Sequence, residues 1–331
     1  SNQTDPAVIN TPLPATRVLE EGFSVFLDAT ATGPGPITYQ WLRNNAPLKP
    51  AVTTPTLGLF DVTLAQAGTY SVKITDPDGN ATWSTTSNPA TLTAGSAPYA
   101  MALLADSPVH YWRMNDSGST LADALGDWHG IYADGTTKGQ AGALLSETDT
   151  AAAFNGTSTG YAVTATSVPT LAPATFSVEA WFKTSSTAGG KIVGWGNATN
   201  ASSTSYDRHI YINGSGQLTF GVYAGATKTL TSGTGYNDGQ WHHVVGAVDQ
   251  AAGMTFYVDG RRIGALNGAI KAEQKTGYWH IGGDTLGTWP NAPSNRYLDG
   301  TIDEVAVYQT CLLYTSPSPR DRTRSRMPSS A

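Results

Sequence analysis

The chain has 331 residues, of which 13% are charged and 40% apolar, and a formal net charge of −6. The acidic balance excludes the basic footprint of a nucleic-acid binder. No run approaches the ~18 apolar residues of a membrane-spanning helix, and the apolar content is too high for global disorder. At roughly 100–200 residues per domain the length fits two domains. With 36 glycines, 19 prolines and so few charges, the composition describes many short strands and turns. Cys311 is the one cysteine, so no intramolecular disulfide holds the fold. The chain starts at Ser1 without a charged, apolar leader. The expectation is a removed signal peptide or a missing N-terminus.

The first domain is expected over 1–95. Val25, Leu27, Ala29 and Ala31 alternate along one face of a half-buried strand. The Pro34-Gly-Pro36 turn leads to a second strand, 37–42, carrying Trp41, and 57–62 gives a third. Ala67-Gly-Thr-Tyr70 opens a fourth strand, the Asp76-Pro-Asp-Gly79 run reads as a turn, and 90–93 closes the series. Turns about every ten residues describe an all-β sandwich. In detail the segment resembles an immunoglobulin-like domain of seven to nine strands. Trp41 stands where that family has its core tryptophan, and Gly68-Thr-Tyr70 is similar to its tyrosine corner. The family's two cysteines would fall at Ala29 and Val72, so the resemblance implies a core held by packing alone.

After a linker at 96–98, the second domain is expected over 99–310. Phe176-Ser-Val-Glu-Ala-Trp-Phe182 alternates, and Trp241-His-His-Val-Val-Gly-Ala-Val248 is a more continuous apolar strand. Asp259-Gly260 signals a tight hairpin between 254–258 and 261–266. Further strands follow around Trp279 and over 300–308. Several motifs in order resemble the laminin-G-like, concanavalin A-like jelly roll of bacterial surface proteins. They are Val109-His-Tyr-Trp112, Asp123-Ala-Leu-Gly-Asp-Trp-His-Gly130, Ala153-Phe-Asn-Gly156, Phe256-Tyr-Val-Asp-Gly260 and Leu298-Asp-Gly-Thr-Ile-Asp-Glu-Val305. The fold class is therefore all-β, an immunoglobulin-like sandwich followed by a jelly roll lacking its closing segment.

From Cys311 the composition changes. The run 311–331 resembles a translated sequencing adapter and is expected to be an artefact of a metagenomic fragment. It carries four arginines and one aspartate, which leaves −9 on residues 1–310.

Glycoside hydrolysis needs two carboxyls flanking the bond, about 5–5.5 Å apart for retention or about 6.5–9.5 Å for inversion. Glu179 has no acidic neighbour two or four residues on, and Asp303 and Glu304, being adjacent, are expected to face opposite sides of their strand. His242 and His243 likewise should not share a metal. The family resemblance implies a structural calcium at Asp123, Asp127 and Asp303, since hard cations take carboxylate and carbonyl oxygens in turns. Two long polar loops, 197–208 and 284–296, contain the ingredients of a saccharide site: Trp289 and Tyr206 to stack on a ring, and Asp207, Asn291 and Asn295 to read hydroxyls. The expected function is a non-catalytic recognition or adhesion module, extracellular or on a bacterial surface, whose partner is a glycan or an extracellular protein. The alternatives are an architectural spacer and, more weakly, a glycoside hydrolase.

Overall fold

The structure is a computed structural model and describes residues 8–19, 24–33, 35–60, 62–78, 81–86, 90–94, 98–126, 128–144, 149–165 and 169–312. Among these no helix is long and apolar enough to cross a membrane. The chain divides into two compact units, Ser1–Ala97 with Ala124–Gly126, and the remainder.

The first unit is built of β-sheet. One sheet runs in the order Thr16–Leu19, Ala90–Ala94, Gly68–Asp78, Thr38–Arg43, Ala46–Pro47, with Ala81–Thr86 also paired to Gly68–Asp78. Val25–Asp28 pairs antiparallel with Thr56–Leu59. The core gathers Leu27, Ala29, Trp41, Leu57, Val72 and Ile74. Trp41 donates its Nε1–H to the Thr54 carbonyl at 2.9 Å, and the Tyr70 hydroxyl donates to the Gln66 carbonyl at 2.7 Å. A buried aromatic with a polar tip is thereby satisfied at both positions. Asp76, Pro77 and Asp78 do not turn. They continue the strand and pair with Trp83, Thr82 and Ala81. Pairing with Thr38–Arg43 ends at Thr75, so Pro77 lies past that neighbour, and its missing N–H costs no bond on that side.

The second unit is a jelly roll of two antiparallel sheets. The first sheet is ordered Thr136–Ala141, Thr150–Asn155, Asp299–Tyr308, Phe176–Lys183, His242–Asp249, Gly253–Val258, Arg261–Asn267, with His110–Trp112 also on Asp299–Tyr308. The second is ordered Thr120–Leu121, Gly130–Tyr132, Ala162–Val163, Thr276–Ile281, Gly190–Gly196, Tyr206–Ile212, Leu218–Tyr223, Thr227–Thr231, with Thr170–Leu171 on Thr276–Ile281. Alternation puts Ile210, Ile212, Trp279 and Ile281 into the core with Phe176, Val178, Phe182 and Val305 from the first sheet. Asp259 and Gly260 both have positive φ, 50° and 75°, and join Val258 to Arg261 as a two-residue hairpin. Pro98–Ala105 forms a helix that strand periodicity did not foretell. Proline at its first position and the Ala, Met and Leu that follow are residues helices favour.

Candidate functional site

Along Tyr206–Ile212 the residues opposite the core, Asp207, His209 and Tyr211, lie on the outer face of the second sheet, and the chain after Asp284 folds over them. Trp289 stands edge-on to His209, with ring centroids 4.6 Å apart, and clusters with Tyr211 and Leu286. A Cβ at Gly221 would come 2.7 Å from the Trp289 ring, so the indole needs a glycine beneath it. The Tyr211 hydroxyl donates to the Pro290 carbonyl. Below lies Lys191, whose Nζ is 3.3 Å from Asp284 Oδ2 and donates to the Thr285 carbonyl at 2.8 Å. Burial pushes the Lys191 ammonium down to about 8 despite the pull of Asp284, and burial pushes His280 down to about 4.

This geometry joins the two polar loops. Ser203 N–H donates to Asp284 Oδ1 at 2.9 Å, and the Tyr297 hydroxyl donates to the Ala201 carbonyl at 3.3 Å. Not all of the expected saccharide contacts are on offer. Trp289 is 7% exposed, so its face is spent on the sheet rather than presented to a ring. Asp207 is buried, accepts the Tyr223 and Arg208 N–H groups at 2.7 Å each and pairs with the Arg208 guanidinium. Burial raises its carboxyl, against the pull of Arg208. Asn295 is committed to the Gly156 carbonyl at 2.7 Å and to Tyr297 N–H at 3.1 Å. Tyr206 remains half-buried, and Asn291 remains exposed on a positive φ of 55° with one bond, to Thr231 Oγ1 at 3.2 Å.

The acids fall differently from the sequence expectation. Asp123 is buried and does not meet Asp303 in a shared carboxylate cluster. Its oxygens accept Tyr111 N–H at 3.0 Å and Trp128 N–H at 3.3 Å and contact His110 Nδ1 at 3.0 Å. It braces the His110–Trp112 strand to the following turn, which leaves little for a metal. Asp127 lies outside the described residues. Asp303 and Glu304 do not face opposite sides. Glu304 has φ 51°, and the register between Phe176–Lys183 and Asp299–Tyr308 shifts between Glu179 and Trp181. Such a bulge breaks the alternation of side chains. Asp149, Asp303 and Glu304 consequently bring carboxylate oxygens within 4.8 Å of one another. The Arg113 guanidinium lies 2.7 Å from Asp149 and 3.3 Å from Glu304. Asp303 Oδ2 accepts Ala143 N–H at 2.8 Å, while Asp303 Oδ1 and Glu304 Oε2 are buried without a donor. Burial raises both carboxyls well above their ordinary range, and the Asp149 charge raises Asp303 further. Three carboxylates around one guanidinium leave two formal negative charges, and two orphaned oxygens suit a hard divalent cation. Sequence reading missed Asp149, Glu304 and Arg113 because only tertiary pairing assembles them.

The glutamate on the central strand is committed as well. Glu179 accepts the Tyr308 hydroxyl and meets His243 Nε2 at 2.7 Å. His242 pairs instead with Asp259 at 2.8 Å and Asp238 at 3.1 Å, so the two histidines serve separate carboxylates.

Residues 155–315 match the model of the Laminin_G_3 family, the concanavalin A-like lectin/glucanases superfamily. The second unit therefore carries a concanavalin A-like jelly-roll domain. A decoration protein of Escherichia phage T5 is 37% identical over 76 residues, 22% of this chain and 43% of that protein. The chain thus spans less than half the length of this curated relative. Among solved structures, the binding domain of Paraclostridial Mosquitocidal Protein 1 is similar at 13% identity and a TM-score of 0.46, covering 64% of this chain and 51% of that one. The binding domain of botulinum neurotoxin serotype G is similar at 11% identity and a TM-score of 0.47, covering 66% and 52%. A heptameric SAP-like pentraxin from Limulus polyphemus is similar at 21% identity and a TM-score of 0.34, covering 44% and 68%.

Proposed function

We propose that the chain is a non-catalytic recognition segment acting outside the cell, in which the jelly roll binds a glycan or a surface protein through the joined segments 197–208 and 284–296. The observation that carries this reading is the contrast within that face. Asn291 stands exposed there and Tyr206 half-buried on a rigid support, while Asp207 and Asp284 of that face are each committed to a partner, as Glu179 is on the other sheet. Binding residues on loops over a rigid scaffold are a common arrangement, and hydrolysis would need two carboxyls free to act on a bond. The matched superfamily holds both lectins and glucanases, and the likeness to a decoration protein agrees with binding.

Within this reading the first unit is an immunoglobulin-like extension, supported by the Tyr70 to Gln66 bond and the buried Trp41. A structural calcium belongs at Asp149, Asp303 and Glu304 rather than at Asp123. Residues 311–331 are adapter-derived, which codons at the end of the source DNA test directly. A glycan array probed with the whole chain, in calcium and in chelator, tests the function. Selective binding to one saccharide class, lost in Asn291→Ala, is expected. Binding to an extracellular protein with no saccharide selectivity would move the target to that class. Reducing-sugar release abolished by Glu179→Gln would overturn the non-catalytic reading.

A further inference from the structure

Lys191 is the one fully buried lysine among the described residues. It belongs to the strand Gly190–Gly196, and Asp284 follows the strand Thr276–Ile281 in the segment that folds over the sheet. Neither side chain has any exposed surface. A primary amine and a carboxyl held together away from water are the two halves of an amide.

The site favours their condensation in several ways. Lys191 Nζ lies 3.3 Å from Asp284 Oδ2, and the carboxyl carbon is one bond from that oxygen. Groups held about 3–3.5 Å apart gain the advantage of an intramolecular reaction. The carboxyl is also fixed in place. Ser203 N–H donates to Oδ1 at 2.9 Å, and Oδ2 fills the space that a Cβ on Gly196 would take, 2.4 Å from that position. The Ser203 donor is thus aimed at an oxygen on which negative charge gathers when an amine attacks the carbon. Burial lowers Lys191 to about 8, so about a tenth of it is free amine at pH 7. Burial raises Asp284, but the Lys191 charge outweighs this and holds the carboxyl below its ordinary value. Once Lys191 passes a proton to Asp284 that pull vanishes, and burial favours the uncharged pair. His280 Nδ1 stands 4.0 Å from Oδ2, and its imidazole, neutral at ordinary pH, can take up one proton and hand it on.

We propose that Lys191 and Asp284 condense to an intramolecular isopeptide bond, with His280 as the proton carrier. The Nζ–Cγ bond forms and the Cγ–Oδ2 bond breaks. Two of the three ammonium protons leave with Oδ2 as one water, one of them through His280. The opposite charges of the pair cancel, and nothing is oxidised or reduced. A buried ion pair, costly to desolvate, gives way to a neutral amide. The link joins positions 93 residues apart, so it constrains the unfolded chain as a disulfide would and ties the covering segment to the sheet. Arg208 and Asp207 form the other buried ion pair of this face, but a guanidinium keeps its proton and offers no free amine. The bond is independent of what the loop face binds.

The intact mass of the whole chain tests the proposal. The native chain should be lighter than its sequence mass by one water. Lys191→Arg keeps a cation beside Asp284 without an amine able to condense, and should have its full sequence mass. Trypsin does not cut after an acylated lysine, so the digest should contain residues 184–208 joined to residues 276–296 as one branched peptide. That branch separates the isopeptide from a water lost within the Asp284-Thr285 step alone. Followed over time after cell-free synthesis, His280→Gln should lose the water at least about tenfold more slowly than the native chain. A native chain at full sequence mass, a water still lost in Lys191→Arg, or a digest cut after Lys191 would each overturn the bond. An unchanged rate in His280→Gln would overturn the part given to the imidazole.

Discussion

Two clusters of buried charge lie in the same jelly roll, and they are balanced differently. On the outer face of the second sheet Lys191 answers Asp284, and Arg208 answers Asp207, with all four side chains fully buried. Burial holds His209 and His280 neutral at ordinary pH, so they add no charge. Charge there sums to zero within the protein. At the other cluster Arg113 faces Asp149, Asp303 and Glu304, and two carboxylate oxygens have no donor. Isolated buried carboxylates are too costly to leave unanswered. The first cluster is thus complete as a structural brace, whereas the second calls for protons or a cation. A family resemblance alone drew attention to Asp303, but the charge count shows which neighbours share its burden.

The largest effect should come from breaking the balanced cluster. Lys191→Met leaves Asp284 buried without its cation and should cost about 3–5 kcal/mol in denaturant unfolding. A loss below about 1 kcal/mol would mean that Asp284 reaches water or takes a proton, and the picture of a closed brace would fail. The unbalanced cluster should respond to calcium instead. Thermal melts should shift upward with added calcium and return with chelator, by the equivalent of about 2.7 kcal/mol once free ion exceeds the dissociation constant a hundredfold. Asp303→Asn should abolish the shift. Asp123→Asn should lower the baseline stability by loosening the Tyr111 and Trp128 contacts yet leave the calcium response intact. The reverse outcome would return the ion to Asp123.

The contrast also marks how far the sequence could be read. Period-2 alternation and Asp259-Gly260 carried the sheets because those signals are local: each strand's own residues choose its faces, and two residues alone make the turn. Pro98–Ala105 escaped because eight residues offer too little periodicity beside so many strands. The sites were legible only as inventory. Tyr206, which opens a strand, and Trp289, in the loop after Asp284, do pack in one cluster, but whether Trp289 shows its face depends on Gly221, far away in sequence, which gives the indole a place to settle. Adjacent residues such as Asp303 and Glu304 face opposite sides only in a regular strand, and the positive φ at Glu304 suspends that rule. Asp149 and Arg113 join them from two other segments through pairings that no short pattern encodes.

The smallest effect distinguishes the clusters by pH. Burial pushes His280 down to about 4 from an ordinary value of 6.5. Between those values the unfolded chain takes up a proton that the folded chain refuses. Stability due to this group is therefore full above pH 6.5 and falls as the pH drops toward about 4, by at most ~1.4 kcal/mol per pH unit for one proton. His209, also lowered chiefly by burial, acts with the same sign. His242 has the opposite sign: hydrogen bonds and attraction from Asp259 and Asp238 outweigh its burial and raise it, so its contribution is present at low pH and is lost as the pH rises through that raised value. Unfolding free energies measured across the window should show a shallower acid decline in His280→Gln than in the native chain, because the variant has no imidazole to protonate in the unfolded state. Equal slopes would mean that His280 is reached by water in the folded protein and that the balanced cluster is less closed than its geometry indicates. A shallower slope would tie its closure to neutral histidines, a property the carboxylate cluster around Arg113 does not share.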